Sequence, residues 1–195
     1  MTDRAVPRIW TIGHSNLSLH DFLGRLTGER LEFVVDVRSY PYSRFAPHFN
    51  REALEPALLE AQVRYLFLGE ALGGRPSDGN HYDAEGHALY GAMAQAPAFR
   101  QAIDRLLRGA RDHRIALLCS EGQPHECHRR LLVGKVLVER GAELHHILPD
   151  GGVCQEREVR SDSMEQGSLF GGDEAAWRST RSVSHRRRLS TSSSA

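Results

Sequence analysis

Residues 8–149 alternate between short β-rich apolar runs and segments of helical spacing, and few folds are open to a chain written that way. The runs are RIWTIG at 8–13, FVVDV at 33–37, VRYLFL at 63–68, IALLC at 115–119 and LHHIL at 144–148. FVVDV is nearly all apolar, as expected of a strand buried on both faces. Ser18 reads as a helix N-cap with Asp21 three residues on, and Phe22, Leu23 and Leu26 supply that helix with an apolar face. Asn50 is expected to cap a second helix toward Ala61, with Pro56 kinking or restarting it. Residues 69–96 are long, irregular and glycine-rich, with helix expected around 85–95; such connections are binding loops, lids or disordered segments. Phe99, Ile103, Leu106, Leu107 and Ala110 follow helical spacing. Pro124 suits the first position of a last helix, which Gly141 ends. The order predicts a single three-layer α/β domain, with helices on both faces of a mostly parallel sheet of about five strands.

That domain is expected to occupy residues 1–149. Residues 150–174 read as a polar, Gly-rich linker. Residues 175–195 hold seven serines, five arginines and no acid, and are expected to be a disordered tail. The 25 basic and 25 acidic residues balance, so the tail's charge leaves the body mildly acidic. Such a body does not hold nucleic acid by bulk charge. No apolar run approaches the ~18 residues of a membrane span, and MTDRAVPRIW lacks a signal-peptide core. A cytoplasmic location without a membrane partner is therefore expected. Three cysteines are too few for a disulfide framework.

In open parallel sheets, ligands bind beyond the carboxyl ends of the strands. The first strand delivers His14 and Ser15 to that edge, and the second Asp36 and Arg38. Arg75 follows the third within Gly73-Gly74-Arg75. The fourth ends in Cys119 and Glu121 and leads into Cys127, His128 and Arg129. The opposite edge carries only solvated charge. Asp36, Cys119, Glu121, Cys127 and His128 are therefore the candidate catalytic residues, with carboxylates as general acid or base and a thiol as nucleophile or redox group. His14, Ser15, Arg38, Arg75 and Arg129 are the candidate ligand-binding residues, the arginines holding an anion. Each has a plainer reading: Cys119 as core, His128 as a satisfied core histidine, Asp36 as a partner of Arg38 or Arg129.

A nucleophilic pair of Cys127 or Cys119 with His14 or His128 is open to this sequence, whereas two other thiol chemistries fit the spacing poorly. A cysteine phosphatase or sulfurtransferase usually carries an arginine six residues after the nucleophile, where this chain has His125. A zinc site from Cys119, His125, Cys127 and His128 matches no usual paired-ligand pattern and needs two adjacent ligands, so no cofactor is expected.

TIGHSN at 11–16, DVRSYPYSR at 36–44, FN at 49–50, LGGR at 72–75 and CSEGQPHECHRRLL at 119–132 together resemble the bacterial family called domain of unknown function 488. The resemblance spans about residues 8–149. It implies a Rossmann-like α/β domain whose activity is not established. Farther on, QGSLF at 166–170 resembles the pentapeptide by which bacterial proteins dock on the DNA polymerase sliding clamp, although glycine stands where leucine is common. Gln166, Leu169 and Phe170 would be its anchors, and the arginine-rich tail would add attraction to DNA. Three functions follow as expectations. The first is an enzyme taking an anionic, nucleotide-like or nucleic-acid ligand at the strand ends, in DNA repair if the clamp motif acts. The second is a non-catalytic recognition module. The third is a thiol-dependent enzyme, a hydrolase or transferase, on a small anionic metabolite.

Overall fold

A computed structural model describes residues 6–158 and 177–183. Strands β1 (Arg8–Gly13), β2 (Phe33–Asp36), β3 (Arg64–Phe67), β4 (Ile115–Cys119), β5 (Glu143–Ile147) and β6 (Val153–Gln155) form one sheet in the order β3-β2-β4-β1-β5-β6. The first five pair in parallel, and β6 runs antiparallel to β5. The sixth strand arises inside the stretch read as linker. Gly151, at φ 93°, turns the chain back so that the 153–155 segment pairs with β5.

The alternation of side chains along each strand separates two cores. Ile115 and Leu117 of β4 face one side, with Ile9 and Val35. Ala116 and Leu118 face the other, with Ile12 and Val34. The second core is closed by Phe22 and Leu26 of α1 (Leu19–Gly28) and by Leu54 and Leu58 of α2 (Arg51–Glu60). The first is closed by Leu72 of α3 (Gly69–Leu72), Met93 of α4 (Tyr90–Gln95), Phe99, Ile103 and Leu106 of α5 (Pro97–Gly109) and Leu137 of α6 (Lys135–Glu139). Each such fully buried aliphatic or aromatic side chain contributes about 1.5–3 kcal/mol.

The helix signals hold at α1: Ser18 Oγ accepts the Asp21 N–H at 3.0 Å and donates to its carboxylate at 2.7 Å. They hold less well elsewhere. The helix α2 runs through Pro56 without a restart, because the proline forgoes a single backbone hydrogen bond while Leu54 and Leu58 on either side of it are fully buried. Asn50 precedes α2, but its side chain accepts the Ser43 N–H instead of capping the helix. Pro124 does not open the last helix. The chain turns helical only at His128, passes through a π-type stretch at Arg129–Gly134 and continues as α6. Such wide turns are common at functional sites.

Residues 177–183 pack on the domain, so the disorder expected over 175–195 does not extend to them. Trp177 donates its indole N–H to the Leu131 carbonyl at 2.8 Å and stands edge-on to Tyr90. Ser179 exchanges bonds with Ala88 in both directions, and the Val183 N–H reaches the Gly86 carbonyl. This strap lies along the 82–91 connection because a tryptophan and a buried serine hold it there. Trp177→Ala is expected to raise amide hydrogen exchange at Ser179 and Val183 by tenfold or more while leaving protection in β1 and β4 unchanged.

Candidate functional site

The carboxyl edge of the sheet brings the sequence candidates together in two groups, one on each face. Alternation explains the division. Cys119 lies two residues beyond Leu117, on the α4–α6 face, whereas Asp36 and His14 follow Val34 and Ile12 on the α1–α2 face.

On the α1–α2 face, Asp36 is fully buried and saturated. It accepts the Arg38 backbone N–H at 3.0 Å, the Arg38 guanidinium at 2.6–3.1 Å and the Tyr65 hydroxyl at 2.7 Å. With its lone pairs committed, Asp36 is a holder of Arg38 rather than an acid or base. Arg38 Nη1 lies 3.3 Å from His14 Nε2, and His14 Nδ1 lies 3.0 Å from the Ser15 carbonyl. Guanidinium can only donate and carbonyl can only accept, so Nδ1 carries the proton and Nε2 the lone pair. The ring stacks on Phe49 with centroids 4.3 Å apart. Burial and the Arg38 charge lower its pKa to about 4. Ser15 is a turn residue with φ 43°, its N–H bonded to the Ser120 carbonyl. The pair His14 and Ser15 thus supports the edge from behind.

On the other face four groups converge. Cys119 donates to Glu121 Oε2 at 2.8 Å, and Cys127 reaches the same oxygen at 3.2 Å. His128 Nδ1 lies 3.5 Å from Cys119 Sγ and 4.0 Å from Cys127 Sγ. His128 Nε2 donates to the Val37 carbonyl at 2.9 Å, so Nδ1 is the atom left to face the thiols. Burial pushes the Cys119 thiol up, helped by Cys127 and Glu121. Burial also opposes ionisation of Cys127, but its contacts with Cys119 and His128 and the Arg129 charge outweigh that and bring it below the usual thiol range. Burial likewise works against Glu121, yet the Cys119 bond and the His128 charge hold it down at about 2. The donor atoms of these four residues all lie within 4.8 Å of one another, close enough to hold a metal. His125 is not among them. Gly74 is required here: a Cβ at this position would stand 2.6 Å from the His128 ring.

Arg129 is wholly buried and does not reach the open edge. Its two terminal nitrogens donate to the carbonyls of Glu121 and Gly122, and Nε donates to Thr11 Oγ1 at 3.3 Å. The expectation that it would hold an anion gives way to a fastening role, since its fork is spent on the loop after β4. A lysine cannot grip both carbonyls, so Arg129→Lys is expected to cost about 2–4 kcal/mol in urea unfolding. A ligand-facing arginine would leave the midpoint unchanged.

The cleft above this centre has a volume of about 400 Å³. Cys119, Glu121 and His128 form part of its lining, Arg38 and Arg75 supply positive charge, and Tyr42 stands at its side, 70% exposed. Among the described residues Arg75 makes no ion pair. The strap closes the remaining wall from Ser179 to Val183. Cys127 lies behind Cys119 and does not line the cleft. Sequence reasoning missed Tyr42, Tyr65 and the strap. The aromatic residues inside DVRSYPYSR and a tryptophan in a polar tail were the available signals. Gln166, Leu169 and Phe170 lie outside the described residues.

Fold and site define an α/β protein with a thiol–imidazole–carboxylate centre at the carboxyl edge of a parallel sheet. A family model, Domain of unknown function DUF488, matches residues 18–136, and the chain belongs to that family. The matched span holds Asp36, Arg38, Arg75 and the whole 119–129 centre, but not the TIGHSN stretch at the end of β1. No curated protein and no solved structure matches the chain. Among the described residues no helix is long and apolar enough to cross a membrane.

The His14 arrangement has a measurable pH consequence. Its folded pKa is about 4, below the free imidazole value, so the unfolded chain takes up the proton first as pH falls. The His14 share of stability is complete above about pH 6.5 and is lost as pH falls toward 4. An NMR titration is expected to show His14 neutral at pH 5.5, with Nδ1 protonated.

Proposed function

We propose that this chain is an enzyme, a hydrolase or transferase, that takes an anionic substrate of nucleotide size in the cleft and works on it at the Cys119–Glu121–His128 face. The observation that carries the reading is the composition of that one cleft. Chemically able side chains line it, an arginine with no ion pair among the described residues stands beside them, and an exposed tyrosine stands where a flat ring can lie against it. A volume of about 400 Å³ lies within the usual range of small-molecule sites. In this reading Arg75 meets a phosphate or carboxylate. Arg38, fixed by Asp36, keeps a positive charge at the cleft wall, and Tyr42 stacks on a base. Cys119 is the thiol of the pair that lines the cleft, with His128 Nδ1 and the Glu121 carboxylate as its neighbours for moving a proton.

The test uses adenosine monophosphate as probe in calorimetry with the full chain. Wild type is expected to bind it. Arg75→Ala and Tyr42→Ala are each expected to weaken binding about tenfold or more without moving the melting temperature, because both side chains are exposed. Equal affinity in all three proteins, or none in wild type, would remove the nucleotide reading.

A further inference from the structure

We propose that Cys119, Glu121, Cys127 and His128 bind one divalent transition-metal ion of the zinc class. The proposal concerns the same centre as the functional reading but does not need the cleft to accept a nucleotide: in the metal-bound form Cys119, Glu121 and His128 are ligands, and the proton movement of that reading belongs to the metal-free form.

The geometry points to it first. A tetrahedral zinc ion has bonds of about 2.3 Å to sulfur and about 2.0–2.2 Å to nitrogen or oxygen, which places its ligands about 3.3–3.8 Å apart. Four of the six separations here are 2.8, 3.2, 3.5 and 4.0 Å, straddling that range. The other two are within 4.8 Å. Changes of up to about an ångström in these separations would seat an ion. The donors are two thiols, an imidazole nitrogen and a carboxylate, a set that suits zinc and its neighbours and not magnesium or calcium.

The surroundings repeat the pattern. A metal-ligating histidine nearly always donates its other ring N–H to a carbonyl or carboxylate, and His128 Nε2 donates to the Val37 carbonyl. That bond leaves Nδ1 as the ring atom that faces the cluster. The Arg129 backbone N–H points at Cys127 Sγ from 3.5 Å, as amides do around metal-bound thiolates. The buried Arg129 side chain holds the backbone of Glu121 in place, and Gly74 lets the His128 ring sit close. Both sulfurs are buried, at 2% and 1% exposure. The adjacency of Cys127 and His128, awkward for two ligands on one helix, is resolved because the helix starts at His128. Cys127 precedes it in non-helical backbone, so the two side chains converge.

Binding would displace two protons to solvent, the Cys119 thiol proton and the one held by the Cys127–His128 pair, leaving two thiolates, one carboxylate and a neutral imidazole around the ion. The only other such group among the described residues, Asp83, Glu85 and His87, differs. Arg178 pairs with both of its carboxylates and already supplies the countercharge.

The experiment uses the full chain with reduced thiols, stripped with a chelator and then titrated with zinc and with cobalt(II). The expected result is about one ion per chain, a melting temperature raised by several degrees, and a cobalt spectrum with thiolate-to-metal charge transfer and intense tetrahedral d–d bands. Zinc should also slow iodoacetamide labelling of Cys119 and Cys127 at least tenfold and leave Cys154 unaffected. Cys127→Ser and His128→Ala are expected to lose the cobalt spectrum. Should either fail to fold, protection of the wild-type thiols decides the matter. A folded, reduced chain that takes up neither metal at tens of micromolar, or a cobalt spectrum without thiolate charge transfer, would overturn the proposal. Adenosine monophosphate titrated into the zinc-loaded and stripped forms separates the two readings: metal binding without nucleotide binding removes only the functional one.

Discussion

The buried guanidinium of Arg129 ties the carboxyl edge of the sheet together. It reaches β1 through Thr11 and the loop after β4 through the carbonyls of Glu121 and Gly122, while its own backbone lies in the first turn of the last helix. Burying a cation is costly unless it is hydrogen-bonded and compensated by charge. The hydrogen bonds come from neutral carbonyls, so the compensation comes from the acidic centre beside it. The same positive charge favours ionisation of both cysteines. Arg129 and the Cys119–Glu121–Cys127–His128 group therefore stabilise each other. Gly13 belongs to this arrangement as well, since a Cβ there would stand 1.7 Å from the Glu121 carbonyl oxygen.

The sheet acts as a divider with a different kind of polar chemistry on each side. Toward α1 and α2, Asp36, Arg38, Tyr65 and His14 form a closed set in which the carboxylate and the ring have partners for their polar atoms. A set of that kind fixes geometry. Toward α4–α6, the thiols, Glu121 and His128 leave one another's donor atoms within reach of something placed between them. Arg38 links the two: its charge is fixed from behind by Asp36, and its side chain forms part of the cleft wall.

The parallel α/β fold was legible because buried strands are written as unbroken apolar runs, and five such runs sit between helical segments. The strand ends named residues that the fold brings together: Cys119, Glu121, Cys127 and His128 do meet. Their roles were less legible. Arg129 and Arg75 look alike in a sequence, and only the position of β1 beside β4 shows that one is consumed by backbone carbonyls while the other faces a cleft. Asp36 could be separated from Cys119 only by carrying the two-residue period to the end of each strand. The π-type stretch after His128 has no local signal, and Pro124 suggested an earlier helix start. The strap was hidden by composition, since serine and arginine around Trp177 outweigh the aromatic that docks it. Strand β6 was hidden by its length of three residues and by its polar surroundings.

The strand order also sets a schedule for making the protein. The first strand synthesised, β1, lies between β4 and β5, the fourth and fifth to emerge. Thr11 must wait for a partner 118 residues downstream before its contact with Arg129 can form. At about 5–20 residues per second, that wait on a ribosome is on the order of ten seconds. Throughout it the apolar edges of β1 and β2 have no β4 to pair with. Contacts of such long range slow folding and leave strand edges open to misassociation. The centre thus cannot form until β4 and the segment after it have emerged, and until then its two thiols have no common sheet edge to bring them together.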